Sequence, residues 1–94
     1  MILKDLLNFF EIDADLPDYL LEESFNDVFL KGDFSKSNNS FKIVAKTRKK
    51  VTHTMVINPN TDFPVIIMSE LPNGLLNGMK FSLTKGDVVF INDF

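Results

Sequence analysis

Two runs, VIIM at Val65–Met68 and VVFI at Val88–Ile91, set four apolar residues in succession inside stretches otherwise built like β-strands. Successive side chains of a strand point to opposite faces, so each run makes both faces of its strand hydrophobic. A sheet holding such strands needs cover on two sides. Helices from the first third of the chain can supply one side; the other must be closed by a barrel, by loops, by a second copy or by a partner.

The chain ahead of these strands reads as helix. Leu3, Leu6, Leu7 and Phe10 recur at three- and four-residue spacing, with Ile2 and Phe9 widening the stripe, which predicts an amphipathic helix over residues 2–11. Asp15 stands at an N-cap position, with Pro17 in the following turn and Asp18 near the positive end of the dipole. Together they predict a second helix over 16–24. Beyond it, Leu21, Phe25, Val28 and Phe29 could extend the helical stripe to Lys31-Gly32. The reading adopted is instead a first strand over Asp27–Asp33, followed by a polar surface loop, FSKSNNS, at Phe34–Ser40.

From Phe41 onward the two-residue alternation is clear. Phe41, Ile43 and Ala45 share one strand face, and Val51, His53, Met55 and Ile57 share one face of the next. Opposing Phe41 to Ile57, Ile43 to Met55 and Ala45 to His53 matches the larger apolar residues. A slip of one residue would oppose Ile43 to Thr54. The favoured register leaves Arg48, Lys49 and Lys50 as a three-residue loop, with Lys50 at a left-handed position that usually takes Gly or Asn. Asn58-Pro59-Asn60 opens a turn before the strand at Phe63–Ser69, and LPNGLLNG at Leu71–Gly78 reads as a loop with two Asn-Gly turns. In the last hairpin, a Thr84-Lys85-Gly86 loop sets Phe81 opposite Val89 and Met79 opposite Ile91.

Ninety-four residues, 45% hydrophobic and 24% charged, suit one domain, with residues 1–25 as helical cover and 26–94 as the sheet region. The fold class is therefore α+β: one or two N-terminal helices packed on a five- or six-stranded, mostly antiparallel sheet or partly closed barrel. A net charge of −3 argues against a general binder of nucleic acid or anionic membrane. No cysteine is present, so packing alone holds the fold, as in a reducing cytoplasm. Lys4 and Asp5 interrupt the opening apolar run, no signal-like cleavage site follows, and no apolar stretch reaches membrane-spanning length. Nine lysines against one arginine, with nine asparagines, ten phenylalanines and seven isoleucines, reflect AT-rich codons and point to a bacterial or phage genome.

Three clusters invite a chemical reading. His53, the only histidine, lies between threonines on an apolar-facing position. Such a residue is more often a half-buried side chain holding one hydrogen bond than a general base, and zinc-type ligand sets are absent from the inventory. Glu11, Asp13, Asp15, Asp18, Glu22 and Glu23 place six acids in thirteen residues without a cation. An EF-hand loop beginning at Asp13 fails, with Pro17 fifth, Asp18 where Gly is needed and Ser24 where a bidentate Glu belongs. A solvated helix start is the ordinary explanation, and an acidic patch for a protein partner the functional one. Lys42, Lys46, Arg48, Lys49 and Lys50 would form a basic patch, but their outer-facing neighbours Val44, Thr52, Thr54 and Val56 offer no aromatic platform for bases. The glycines are scattered and cradle no phosphate, and no cofactor is implied. The ending KGDVVFINDF resembles the opening strand of small ribonuclease toxins of toxin–antitoxin systems. It covers ten residues at the opposite end of the chain and lacks the downstream glycine, arginine and proline motifs, so it implies no family.

These readings converge on a non-catalytic protein-binding module, a small stoichiometric inhibitor, immunity or adaptor protein that self-associates as a homodimer. A nucleic-acid-binding barrel using the basic hairpin is the alternative, and a minimal enzyme around His53 comes third.

Overall fold

The computed structural model describes residues 1–93. Among them are helices α1 (Leu3–Phe9) and α2 (Asp18–Leu21), a 3-10 turn (Asp27–Lys31) and six strands. The strands are β1 (Asp33–Ser37), β2 (Ser40–Lys46), β3 (Thr52–Ile57), β4 (Val65–Glu70), β5 (Leu76–Phe81) and β6 (Val88–Asp93). They follow one another in space in chain order, each antiparallel to the next, in an open α+β sheet with β1 and β6 at its edges. Among the described residues neither a barrel nor a parallel pairing forms. No helix among the described residues is long and apolar enough to cross a membrane.

α1 buries Leu3, Leu6 and Leu7 on one stripe and exposes Lys4, Asp5 and Asn8 on the other. It stops short of the expected residue 11 because the chain reverses there. Glu11 adopts φ 55°, its N–H donates to the Asn8 carbonyl at 3.2 Å, and the Ile12 N–H donates to Leu7 at 2.8 Å. That is a Schellman end, and the residues its longer bond joins, Leu7 and Ile12, are both buried. α2 is shorter than expected at both ends. Pro17 is its N-cap, Asp15 caps nothing, and no side chain bonds the first turn. At the other end an antiparallel bridge between Ile2 and Ser24 pulls the chain out of helix, with Leu3 N–H donating to Glu23 and Phe25 N–H to Met1.

The expected strand over Asp27–Asp33 is a correction. The Asn26 side chain accepts the Val28 N–H at 3.0 Å and caps a 3-10 turn that drives Phe29 into the core. The polar stretch expected to be a loop, Phe34–Ser40, is instead β1 and a two-residue turn, Asn38-Asn39, into β2. Asn38 takes the left-handed conformation at φ 53°, which asparagine tolerates. β1 lacks alternation because it is an exposed edge along its whole length.

The central hairpin has the expected register, Phe41–Ile57, Ile43–Met55 and Ala45–His53. Its loop is Arg48-Lys49-Lys50, closed by Thr47 N–H to Val51 at 2.9 Å and Lys50 N–H to Thr47 at 3.0 Å, with Lys50 at φ 61°. A side chain in that conformation costs energy that glycine does not incur. Lys50→Gly is therefore expected to raise stability by roughly 0.5–1 kcal/mol, read as a higher urea midpoint at unchanged slope.

Only the first Asn-Gly of LPNGLLNG is a turn. Leu71 N–H bonds Leu75 at 2.9 Å around Pro72-Asn73-Gly74, with Gly74 at φ 87°, whereas Asn77 and Gly78 lie within β5. The last hairpin departs from expectation by one residue: Phe81 faces Val88 and Met79 faces Phe90. The loop holds four residues, Leu83–Gly86, because Ser82 N–H bonds Asp87 at 3.1 Å and closes the ladder one step earlier. Since one step of register exchanges the faces, Val89 and Ile91 turn outward, and Val88 and Phe90 join the helix-covered side.

On that covered side Leu3, Leu6, Leu7, Leu20 and Phe29 pack over Phe41, Ile43, Met55, Ile57, Val65 and Phe81. The cover is uneven: over β5 and β6 it thins, and Phe90 is 69% exposed.

Candidate functional site

The six acids do not form one patch. Glu11, Asp13 and Asp15 line a cleft of about 650 Å³ beside Phe10, Phe34, Phe41 and Lys36. Its wall is a ladder of rings: Phe34 stacks on Phe10 at 5.5 Å and on Phe41 at 6.2 Å, and the Lys36 ammonium lies 5.6 Å from the centre of Phe41. The sequence reading missed this ladder because it placed Phe34 in a loop; as a β1 residue opposite Ile43 it is fixed on the covered face. Glu22 and Glu23 belong to a different cleft, with Tyr19, Phe81, Lys85 and Val88, and Asp18 lines neither.

In that second cleft the Tyr19 hydroxyl donates to the Ser82 carbonyl, tying α2 to the end of β5. Burial first, then the charges of Asp87 and Glu23, hold the Tyr19 phenol above its ordinary value. The neutral phenol is thus favoured in the folded state. Its stabilisation is complete below the unfolded-state value of about 10 and is lost as pH rises through the higher folded-state value. Thermal midpoints measured between neutral and strongly alkaline pH are expected to hold steady and then fall, with a shallower fall in Tyr19→Phe. An identical alkaline slope in both proteins would contradict this.

Lys42 and Lys46 are exposed on the outer face of β2, and Arg48, Lys49 and Lys50 are exposed at its tip. None forms an ion pair with the described residues. The outer-facing neighbours across β3 are Thr52, Thr54 and Val56. On the outer side Phe63 sits in a small cleft with Val56, Ile66 and Lys80, whose ammonium lies 6.0 Å from the ring centre.

His53 projects to the covered face, half-buried. Its Nδ1 lies 2.7 Å from the Ser69 Oγ and its ring 6.2 Å from that of Phe29. Ser69 is its direct partner across β3 and β4, so the sheet register sets the bond. Among the described residues no group of three or more histidines or acids could hold a metal.

The remaining surface is the outer face of the sheet. Register places Val44, Thr54, Met68, Gly78 and Ile91 in one cross-strand row, and Lys42, Val56, Ile66, Lys80 and Val89 in the next. The helices all pack on the opposite side, and Val44, Val56, Ile66, Met68 and Ile91 stand outside the core. This band is where the unbroken apolar runs VIIM and VVFI discharge their second face. The runs announced that such a face exists; which residues form it depended on the β5–β6 register. No family model matches this chain, and searches of curated proteins and of solved structures found no match to it.

Proposed function

We propose that the chain is a non-catalytic protein-binding module, a small stoichiometric inhibitor, immunity or adaptor protein of bacterial or phage origin that works in the cytoplasm as a homodimer. One observation carries the reading: a contiguous apolar band, Val44, Val56, Ile66, Met68 and Ile91, on a sheet face without helical cover. Covering roughly 300 Å² of such surface favours association by about 7 kcal/mol before entropic costs. A protein surface suits it better than a nucleic acid, because Val56 and Ile66 stand between Lys42 and Lys80 in their shared row and the net charge is −3.

The second reading, nucleic-acid binding through Lys42, Lys46, Arg48, Lys49 and Lys50, draws on the exposure of all five on one hairpin. One experiment separates the two. The native chain, Ile66→Asp and an Arg48/Lys49/Lys50→Ser triple variant are used as bait in native lysate. The first reading expects one stoichiometric protein partner, kept by the triple variant and lost with Ile66→Asp. Nucleic acid retained at about 150 mM salt and lost in the triple variant would replace it with the second.

A further inference from the structure

We infer that the homodimer forms edge to edge, β6 of one copy pairing antiparallel with β6 of a second, so that two six-stranded sheets become one. This rests on the self-association proposed above and assigns its geometry. The two edges of the sheet differ in chemistry. β1 reads DFSKS, is exposed throughout and carries Asp33 and Lys36, the kind of charged edge that resists further pairing. β6, VVFIND, begins with four residues, Val88-Val89-Phe90-Ile91, that carry no charge, proline or glycine, and its one charged residue is the last, Asp93.

The backbone of β6 fixes what can sit there. Ser82 N–H bonds the Asp87 carbonyl, which marks Ser82–Asp87 as a hydrogen-bonded pair, and such pairs alternate along an antiparallel ladder. Lys80–Val89 and Gly78–Ile91 are then the bonded pairs of β5 and β6. The N–H and C=O groups of Val88 and Phe90 therefore point away from β5, toward the open edge. Their complement is an extended strand, and its side chains must be apolar on both faces. On the covered side Phe90 borders a cleft of about 320 Å³ with Ile67 and Met79; on the outer side Val89 is 43% exposed.

A second β6 meets these conditions. A two-fold axis through Val89, normal to the sheet, sets each Val88 opposite Phe90 of the other copy and the two Val89 side chains opposite one another. Each Val88–Phe90 pair exchanges two backbone bonds, and every facing residue from 88 to 90 is apolar. The axis also aligns like faces, so the outer apolar bands join into one surface and stay free for the partner protein. Edge pairing thus satisfies the backbone while leaving the outer face unoccupied.

Light scattering in the micromolar range, with amide hydrogen exchange followed residue by residue, tests the geometry on the native chain and on Phe90→Lys. Lysine at this exposed position blocks the edge without touching the core, and circular dichroism confirms that the variant is folded. The expected results are a mass twice the 10.7 kDa of one chain, slow exchange at Val88 and Phe90, and in Phe90→Lys a halved mass with fast exchange at Val88. A dimer whose Val88 and Phe90 amides exchange freely, or one that survives Phe90→Lys, overturns edge pairing and leaves self-association standing. A native chain that is monomeric overturns both.

Discussion

Gly78→Ala is expected to lower the unfolding free energy by roughly 3 kcal/mol, at the upper end of the cost of forcing an extra methyl into a packed site. Gly78 lies inside β5, opposite Met68 of β4. A Cβ added there would collide with the Ile67 carbonyl oxygen and stand 3.0 Å from the Met68 Cα. Both obstacles are backbone, so no side-chain rotation relieves them, and relief requires β5 to move away from β4 and loosen the ladder between them. The sign is diagnostic, because glycine within an ordinary strand is itself unfavourable and alanine would normally improve it by about 0.5–1 kcal/mol. Gly74→Ala is the control: nothing lies within 4 Å of its Cβ, but its φ of 87° disfavours any side chain, so a loss of about 1 kcal/mol is expected. Urea denaturation of the two variants orders the effects. If Gly78→Ala matched or exceeded native stability, the close approach of β4 and β5 would not exist in solution.

That same residue shows where the sequence was legible and where it was not. Asn77-Gly78 has the composition of a turn, and only the position of its neighbour strand reveals that the glycine is there to admit a backbone. Hairpins flanked by large apolar residues were readable: Phe41, Ile43 and Ala45 have one burial-matching register against Ile57, Met55 and His53, and the chain adopts it. The β5–β6 hairpin was not, because Val88, Val89, Phe90 and Ile91 are apolar in succession. Shifting them by one residue exchanges faces at almost no change in hydrophobicity, and the decision falls to the Ser82–Asp87 hydrogen bond at the loop. β1 escaped notice for the opposite reason, since an exposed edge strand has no apolar face to alternate. The acids of the candidate site were visible as a run, but the split of Glu11, Asp13 and Asp15 from Glu22 and Glu23 follows from the Schellman reversal at Glu11 and the brevity of α2. Neither has a strong local signature, because the left-handed position holds glutamate rather than glycine.

Leu6→Ala is expected to cost about 3 kcal/mol and to lower the melting temperature by roughly 15 °C for a chain of this size. α1 has seven residues and no side-chain N-cap, too short to be helical on its own. Its existence depends on the stripe it buries, and Leu6 is fully enclosed at the centre of that stripe, between Leu3 and Leu7. Truncation removes three heavy atoms from a packed site and leaves a cavity that the sheet beneath cannot close, since Ile43, Met55 and Ile57 are fixed by ladders on both sides. Phe9→Ala supplies the contrast. Its ring is 59% exposed and meets Phe10 edge-on at 4.9 Å, so its loss is expected to cost under about 1 kcal/mol, although it removes more atoms. If instead Phe9→Ala cost as much as Leu6→Ala, α1 would not be seated on the sheet through its Leu3-Leu6-Leu7 stripe. The covered face would then be as open as the outer one, and the two sides of the sheet would lose the asymmetry on which the proposed binding surface depends.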